Sequence, residues 1–451
     1  MLFMIFTDRI FLARYSIGAL NASVNAGTLA WALMSGVGMI TAMSEIFVAQ
    51  YNGAKLYRKL GSPVWQMIWF SLFSLVLFVP MAIWGAPVIF RGDLYAEMEI
   101  EYFRWIMFFS PAYALMTAFA GFFIGRGKTR VMIILAIVAN AINILLDWLL
   151  IFGVPGFIPE MGISGAAIAT CFGYCFESAV LFYLFFQKKN RIEFGTGNWK
   201  FDWQQMVQCL KVGVPQGIFC SLEIFGWAVF YWMMTALSEK HITVSSICQS
   251  FNILLSFFFD GLCRGSAAIS ANFIGARQHA LVNKVLKSGL ILLFFFLVAI
   301  STIFIFDPIE TAGALFFVQM EGSPALDPVF AKSLKVCMVL SFVYLFFDGL
   351  RWVLSGLLIA AGDTFFLLLI GSFSVWAFLL LPVYLIVVQH HLSVEYAWGL
   401  TVVYAALFFV VYLVRFKSGA WQRIDLIGKQ AAIPTESLGR SPLVQDPQRT
   451  E

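Results

Sequence analysis

The sequence predicts an all-α integral membrane protein with twelve transmembrane helices in two six-helix lobes. Three observations carry this prediction: an apolar composition, a row of membrane-length apolar segments and an internal repeat. Of the 451 residues, 61% are hydrophobic and only 12% are charged, about half the charged fraction of a typical soluble domain. The net charge of +4 is small and widely spread. We therefore expect a lipid bilayer as the surroundings and no nucleic-acid partner.

Eleven apolar segments are long enough to cross the hydrocarbon core as helices, which takes about twenty residues. They lie at 22–50, 64–90, 102–124, 131–153, 162–187, 206–237, 242–274, 285–306, 331–360, 365–388 and 395–416. A twelfth begins at Met1, but Asp8, Arg9 and Arg14 interrupt it before it reaches membrane length. We expect the natural start to lie upstream, so that the first helix is truncated in this sequence.

Basic residues concentrate in alternate connections between the apolar segments. They include Lys55, Arg58, Lys59, Arg126, Lys128, Arg130, Lys188, Lys189, Arg191, Arg277, Arg415 and Lys417, whereas the other connections hold mostly Glu and Asp. Connections rich in Lys and Arg stay on the cytoplasmic side of a membrane. We therefore expect a multi-pass protein of the cell inner (plasma) membrane with both termini in the cytoplasm.

Two pairs of segments repeat within the chain in the same order. Residues 48–54 resemble 271–276, and residues 121–129 and 356–364 share Gly, Ile, Gly and Thr at identical spacing. Each copy holds six helices, so the two halves have the same orientation in the membrane. The predicted units are an N-terminal lobe at 1–187, a cytoplasmic linker at 188–205, a C-terminal lobe at 206–416 and a disordered cytoplasmic tail at 417–451.

Two acidic residues lie deep within predicted spans. Glu223 is surrounded in sequence by Ile, Phe and Leu, and Asp348 follows Phe346 and Phe347. A charged side chain at the centre of a bilayer costs at least ~2.5 kcal/mol on insertion scales, so both should face a polar cavity and have a function. Carboxylate oxygens are also ligands that small hard cations prefer.

The other charges within spans favour less specific interpretations. Asp260 and Arg264 are four residues apart and are expected to pair on one helix face. Glu45 is expected on a solvated face near a helix end, and Asp147 is expected to be structural. Glu177 is in the middle of its span and would line a cavity of the N-terminal lobe.

Several motifs of this chain resemble the multidrug and toxin extrusion (MATE) family, and most closely its NorM-like branch. The resemblance runs from Asp8 to about Arg415 and includes the segments 48–54, 125–130, 140–143, 150–153 and 161–170. The NorM-like pattern of helix 7 is matched by Gly213, Pro215 and Glu223, and that of helix 10 by Tyr344, Asp348 and Gly356. Asp8 matches an Asp that many members carry in helix 1.

The resemblance implies a monomeric antiporter that exports organic, often cationic and amphipathic compounds in exchange for Na⁺ or H⁺. It implies that Glu223, Asp348 and Tyr344 form the cation site, with Glu223 and Asp348 as Na⁺ ligands and no cofactor besides the coupling ion. Asp8 and Glu177 would be accessory residues. Arg351 departs from the family, which usually has Gln there, and it would either hold Asp348 ionised or displace a sodium ion.

Other functions remain open from the sequence. A flippase for lipid-linked precursors would need several Arg or Lys in its cavity, whereas only Arg264 and Arg351 lie deep in spans. An exporter of one narrow class of metabolites is a second alternative. A membrane enzyme is disfavoured because the four His residues lie in loops or near span ends and no nucleophile elbow or P-loop occurs. A channel is disfavoured because paired lobes suit alternating access.

Overall fold

The computed structural model of the protein describes residues 2–305 and 328–428. Within these ranges the chain forms twelve main helices, one after another. They are α1 (Leu2–Tyr15), α2 (Ile17–Gly53), α3 (Tyr57–Ile89), α4 (Ala96–Gly125), α5 (Thr129–Phe152), α6 (Gly162–Phe185), α7 (Trp203–Leu237), α8 (Glu239–Gly275), α9 (His279–Ile305), α10 (Pro328–Ala361), α11 (Thr364–Val388) and α12 (Val394–Lys417). The eleven helices α2–α12 are long and apolar enough to cross a membrane, which confirms the eleven predicted segments.

The first helix is short. α1 has 14 residues, and at ~1.5 Å per residue it is roughly 21 Å long, less than the ~30 Å thickness of the hydrocarbon core. It ends where Ser16 begins α2 as an N-cap, because the Ser16 hydroxyl accepts a hydrogen bond from the Ala19 amide at 3.0 Å.

The helices pack as two groups of six. Within α1–α6, α4 packs against both α2 and α6, and α5 packs against α1 and α6. Within α7–α12, α10 packs against α8, α9 and α12, while α11 packs against α7. The two groups meet where α2 contacts α7 and α8. A site whose geometry changes when the lobes move is therefore expected on α2, α7 or α8.

The internal repeat reflects two structural needs. The first is a tight turn: Gly127 and Gly362 occupy matching positions after α4 and α10, with φ of 71° and 84°, a region that side chains disfavour. The second is close approach between lobes. A Cβ on Gly53 would collide with the Asn272 carbonyl, and one on Gly275 would collide with the Gln50 carbonyl.

Side-chain amides join the lobes at the same place. Gln50 donates to the Ala360 carbonyl at 2.8 Å, and Asn272 donates to the Gly125 carbonyl at 2.9 Å. Asn52 also donates to Asn272 Oδ1 at 2.7 Å. Because Gln50 and Asn272 are equivalent in the repeat, each lobe binds the end of the fourth helix of the other. The lobes are therefore closed at the end that carries the basic connections.

The linker and the beginning of the tail pack onto the lobes. Thr196 in the linker donates to the Phe185 carbonyl at 2.9 Å and accepts at its own carbonyl from the Trp65 indole at 2.7 Å. In the tail, Trp421 is buried and stacks on Phe416 with ring centroids 5.4 Å apart. The prediction of disorder from 417 onwards is thus wrong for 417–428, because an aromatic anchor fixes this segment. Residues 429–451 lie outside the described residues.

Candidate functional site

The C-terminal lobe contains a buried ionic triad of Glu223, Asp348 and Arg351. Arg351 Nε lies 2.7 Å from Asp348 Oδ1, and Arg351 Nη2 lies 3.2 Å from Glu223 Oε1. Glu223 belongs to α7 and the other two belong to α10, so the guanidinium joins these two helices. The indole of Trp352 donates to the second Asp348 oxygen at 3.0 Å. Asp348 thus has a donor at each oxygen.

Aromatic rings surround the triad. The guanidinium carbon of Arg351 lies 4.8 Å from the ring centroid of Phe408 and 5.3 Å from that of Trp352, distances at which a ring face attracts a cation. Tyr344 lies one turn before Asp348 on α10, and its ring packs edge-on against Trp227 at 5.7 Å. The triad as a whole has one cation for two carboxylates.

The predicted cation site and the triad share two residues. The sequence predicts that Glu223 and Asp348 lie together, and in the structure Arg351 bridges them. The guanidinium occupies the space between the carboxylates, where a sodium ion bound by both would have to lie. Cation binding by Glu223, Asp348 and Tyr344 therefore stays a prediction, and it requires Arg351 to move.

A second cluster lies in the N-terminal lobe, where α1, α5 and α6 meet. Asp8 of α1 accepts a hydrogen bond from Thr170 of α6 at 2.7 Å. Asn143 and Asp147, one turn apart on α5, bring their side chains to the same Asp8 carboxyl. The side chains of Asp8, Asn143 and Asp147 are all buried.

The two carboxyls of this N-terminal cluster lack a matching set of donors. Among the described residues, Asp8 Oδ1 and both oxygens of Asp147 have no hydrogen-bond partner, and the Asn143 amide is the one nearby donor that is also unpaired. Two carboxylates cannot both remain ionised side by side in a low-dielectric interior without a cation. Either a proton shared between Asp8 and Asp147 or a small bound cation would satisfy the pair. The contrast with the triad is direct, since the triad contains its own cation.

The sequence interpretation did not anticipate that Asp147 lies beside Asp8. It treated Asp147 as structural and Asp8 as an accessory residue, yet the structure places their carboxyls together. One available signal was the pair Asn143 and Asp147, which puts two polar side chains on one face of an otherwise apolar helix. What the sequence did not contain was the pairing of α1 with α5.

The remaining predicted charges have clear positions. Asp260 and Arg264 form the expected pair, with Arg264 Nε 3.0 Å from Asp260 Oδ2. Glu177 is buried on α6, outside both clusters. The prediction of a solvated Glu45 is wrong, because α2 continues past this residue and packs it against α4, leaving it 4% exposed. Within the described ranges, no group of three or more His, Cys, Asp or Glu side chains could hold a metal ion.

Comparisons with known proteins agree with this architecture. The family model described as MatE matches residues 1–149. The chain is 24% identical over 438 residues to the probable multidrug resistance protein NorM of Thermotoga maritima, which covers 94% of this chain and 90% of that protein. It is 26% identical over 354 residues to the protein of the same name from Rhizobium meliloti, covering 73% of each.

Solved transporter structures share the fold. The eukaryotic MATE transporter AtDTX14 superposes with a TM-score of 0.78 at 17% identity, over 95% of this chain and 93% of that one. A transporter of the MOP superfamily from Pyrococcus furiosus, whose binding pocket is described as having reverse polarity, superposes with a TM-score of 0.75 at 20% identity, over 93% and 94%. These matches confirm the all-helical, two-lobed membrane fold. The chain is therefore similar to the multidrug and toxin extrusion family, and in particular to proteins named NorM, over most of its length.

Proposed function

We propose that the protein is a secondary antiporter that exports amphipathic organic cations in exchange for H⁺ or Na⁺. The printed names of the relatives, which call them multidrug resistance proteins, support export of organic compounds. The proposal includes a monomer in the cell inner (plasma) membrane with both termini cytoplasmic. It also keeps the lobes at 1–187 and 206–416, joined by a cytoplasmic linker at 188–205.

The observation that carries the proposal is the pair of buried carboxyls formed by Asp8 and Asp147. Three of their oxygens are unmatched; a shared proton would form a hydrogen bond between two of them, and a small cation could be bound by oxygens of both carboxylates. An ion drives a conformational change only if it binds the two conformations with different affinity. Asp8 and Asp147 lie on different helices, so a movement of α1 against α5 changes the separation of the carboxyls and with it the affinity for the ion.

The triad contributes differently in this proposal. Arg351 acts as a tethered cation that neutralises one of the two carboxylates and links α7 to α10. The side chain of Glu223 is 19% exposed, against 7% for Asp348. Glu223 is thus the acid that a cationic substrate, or a coupling ion, reaches first. Tyr344 remains a predicted residue of the cation site, and Glu177 remains a predicted accessory residue.

Transport by purified protein in liposomes tests the proposal. An imposed pH or Na⁺ gradient should drive export of a fluorescent cation such as ethidium, and the gradient that succeeds identifies the ion. Asp147→Asn should abolish gradient-driven export, since a neutral amide no longer gains from binding a cation. Glu99→Gln is the matched control, because Glu99 is a buried acid of the same lobe with one unmatched oxygen, but it accepts from Asn25 at 2.7 Å and lies outside the Asp8–Asp147 pair.

The outcomes separate the mechanism from its alternatives. Export by Asp147→Asn at the wild-type rate with the same ion dependence would refute coupling through the N-terminal pair. Loss of coupling in Glu223→Gln but not in Asp147→Asn would indicate that the coupling ion binds in the C-terminal lobe. If neither gradient moves any of a broad panel of organic cations, a lipid-linked precursor or a narrow metabolite becomes the better substrate.

A further inference from the structure

The Asp260–Arg264 pair lies in an unusual place for an ion pair. Both residues belong to the middle of α8, a helix of 37 residues that crosses the membrane. Arg264 Nη2 contacts the Sδ atom of Met39 on α2 at 3.7 Å, so the pair faces the opposite lobe. Charged side chains within a span face the protein interior or a polar cavity. The pair therefore lies on the surface between the lobes.

The pair also borders open space. Its side chains are 34% exposed for Arg264 and 44% exposed for Asp260, whereas Arg351 in the triad is 4% exposed. A Cβ on the neighbouring Gly261 or Gly265 would meet no atom within 4 Å. Since lipid cannot solvate these charges, we infer that the open space beside them is polar and open to a solute.

Asp260 contacts only the Nε edge of the Arg264 guanidinium. Its Nε lies 3.2 Å and 3.0 Å from the two Asp260 oxygens, while its Nη2 contacts only a thioether among the described acceptors. A thioether sulfur is a weak acceptor. The terminal edge of the guanidinium therefore remains able to take a carboxylate in the bidentate geometry that Arg favours.

Asp260 favours an ammonium beside that carboxylate. Its side chain is 44% exposed, so it can pair with a cationic group of a solute while Arg264 binds the carboxylate. Glu45 is buried, at 4% exposure, and does not face the solute. The ring of Tyr113 packs against α2 at Gly38, next to Met39, and so places an aromatic group near the pair.

We propose that Asp260 and Arg264 form a substrate subsite between the lobes for amphoteric aromatic compounds. The carboxylate of the compound binds Arg264 and its ammonium binds Asp260. This inference rests on the proposed export function and specifies its substrate class. Among organic cations it predicts a preference for compounds that also carry a carboxylate, because the terminal edge of the Arg264 guanidinium can bind that group.

The test uses a rhodamine dye that carries a free carboxylate and the methyl ester of the same dye. Fluorescence polarisation measures binding of each to the purified protein in detergent, without any ion gradient. The double substitution Asp260→Asn with Arg264→Gln removes both charges together, so no unpaired charge remains in the span. We expect it to weaken binding of the acid dye roughly ten-fold or more, the loss of a charge-assisted hydrogen-bonded pair, and to leave the ester within about two-fold.

Equal weakening of both dyes, or unchanged binding of the acid dye, would overturn the subsite. A wild-type protein that binds the ester as tightly as the acid would also overturn it. Failure of the proposed export function has a different signature: both dyes bind as expected, but no ion gradient moves either of them across liposomes. Asp363→Asn with Arg415→Gln, which removes an ion pair of the same kind outside the subsite, is the control and should not change the ratio of the two affinities.

Discussion

The ionic triad leads to a quantitative prediction about the stability of neutral substitutions. Asp348→Asn removes the shorter of the two contacts to Arg351, the one of 2.7 Å. The arginine is not stranded, because Glu223 remains 3.2 Å away. We expect a cost of about 1–3 kcal/mol, the range for a lost hydrogen bond to a charged group. The single substitution should therefore yield folded protein.

Removing both carboxylates is a different perturbation. Asp348→Asn together with Glu223→Gln leaves the buried guanidinium of Arg351 without a counter-charge, which costs about 3–5 kcal/mol. Adding Arg351→Gln to the double variant removes the stranded charge and should restore most of that stability. From highest to lowest, the apparent melting temperatures should then follow the order wild type, single variant, triple variant and double variant. The triple variant should be close to the single variant.

Thermal unfolding of the detergent-purified variants, followed by tryptophan fluorescence, measures this order. Membrane proteins often unfold irreversibly, so all variants need the same heating rate. A single variant as unstable as the double would show that Glu223 does not hold Arg351. A triple variant no more stable than the double would show that these side chains act through packing and not through charge.

Three further results follow from the same geometry. Arg351→Gln leaves two carboxylates facing one space, so Na⁺ should bind there and raise the melting temperature of this variant. At a Na⁺ concentration of a hundred times the dissociation constant the stabilisation would be ~2.7 kcal/mol. An equal effect of Na⁺ on the wild-type protein would contradict this. Gly275→Val should push the lobes apart at their closed end. In a protein that also carries Asn52→Cys, it should therefore raise maleimide labelling of that cysteine from the cytoplasmic side. Unchanged labelling would show that the contact at Gly275 does not keep this end closed. Lys128→Cys and Asp93→Cys should label from the cytoplasm and the exterior respectively, and labelling from one side would overturn the orientation.

The helices could be predicted from the sequence and the clusters only in part. Span length and hydropathy are local properties, so each predicted apolar segment corresponds to a helix. Which side chains meet depends on helix packing, which no local pattern contains. The i,i+3 pairing of Asp348 with Arg351 could be read from the sequence, but the second contact of Arg351, to Glu223 on α7, could not. The same limit concealed the contact of Asp8 with Asp147.

Errors at the ends of helices have a similar origin. Glu45 was expected in water because it lies near the end of an apolar segment, but α2 continues to Gly53 and keeps the residue buried. The tail after Lys417 was expected to be disordered because of its polar composition, yet Trp421 packs into the lobe. Composition averages over a window, whereas one aromatic side chain in a pocket can order a whole turn.

The two lobes are related by a sequence repeat but differ in charge, and this difference bears on the direction of coupling. At the closed end they are nearly equivalent, since Gln50 and Asn272 make matching contacts with Ala360 and Gly125. Deeper in the membrane the equivalence is lost: within the described residues Asp8 and Asp147 form no salt bridge, whereas the C-terminal acids are bridged by Arg351. A dissolved ion binds most favourably to acids that no side-chain cation already neutralises. The N-terminal lobe should therefore respond to the ion gradient, and the C-terminal lobe, held by its own guanidinium, should change shape mainly when substrate binds.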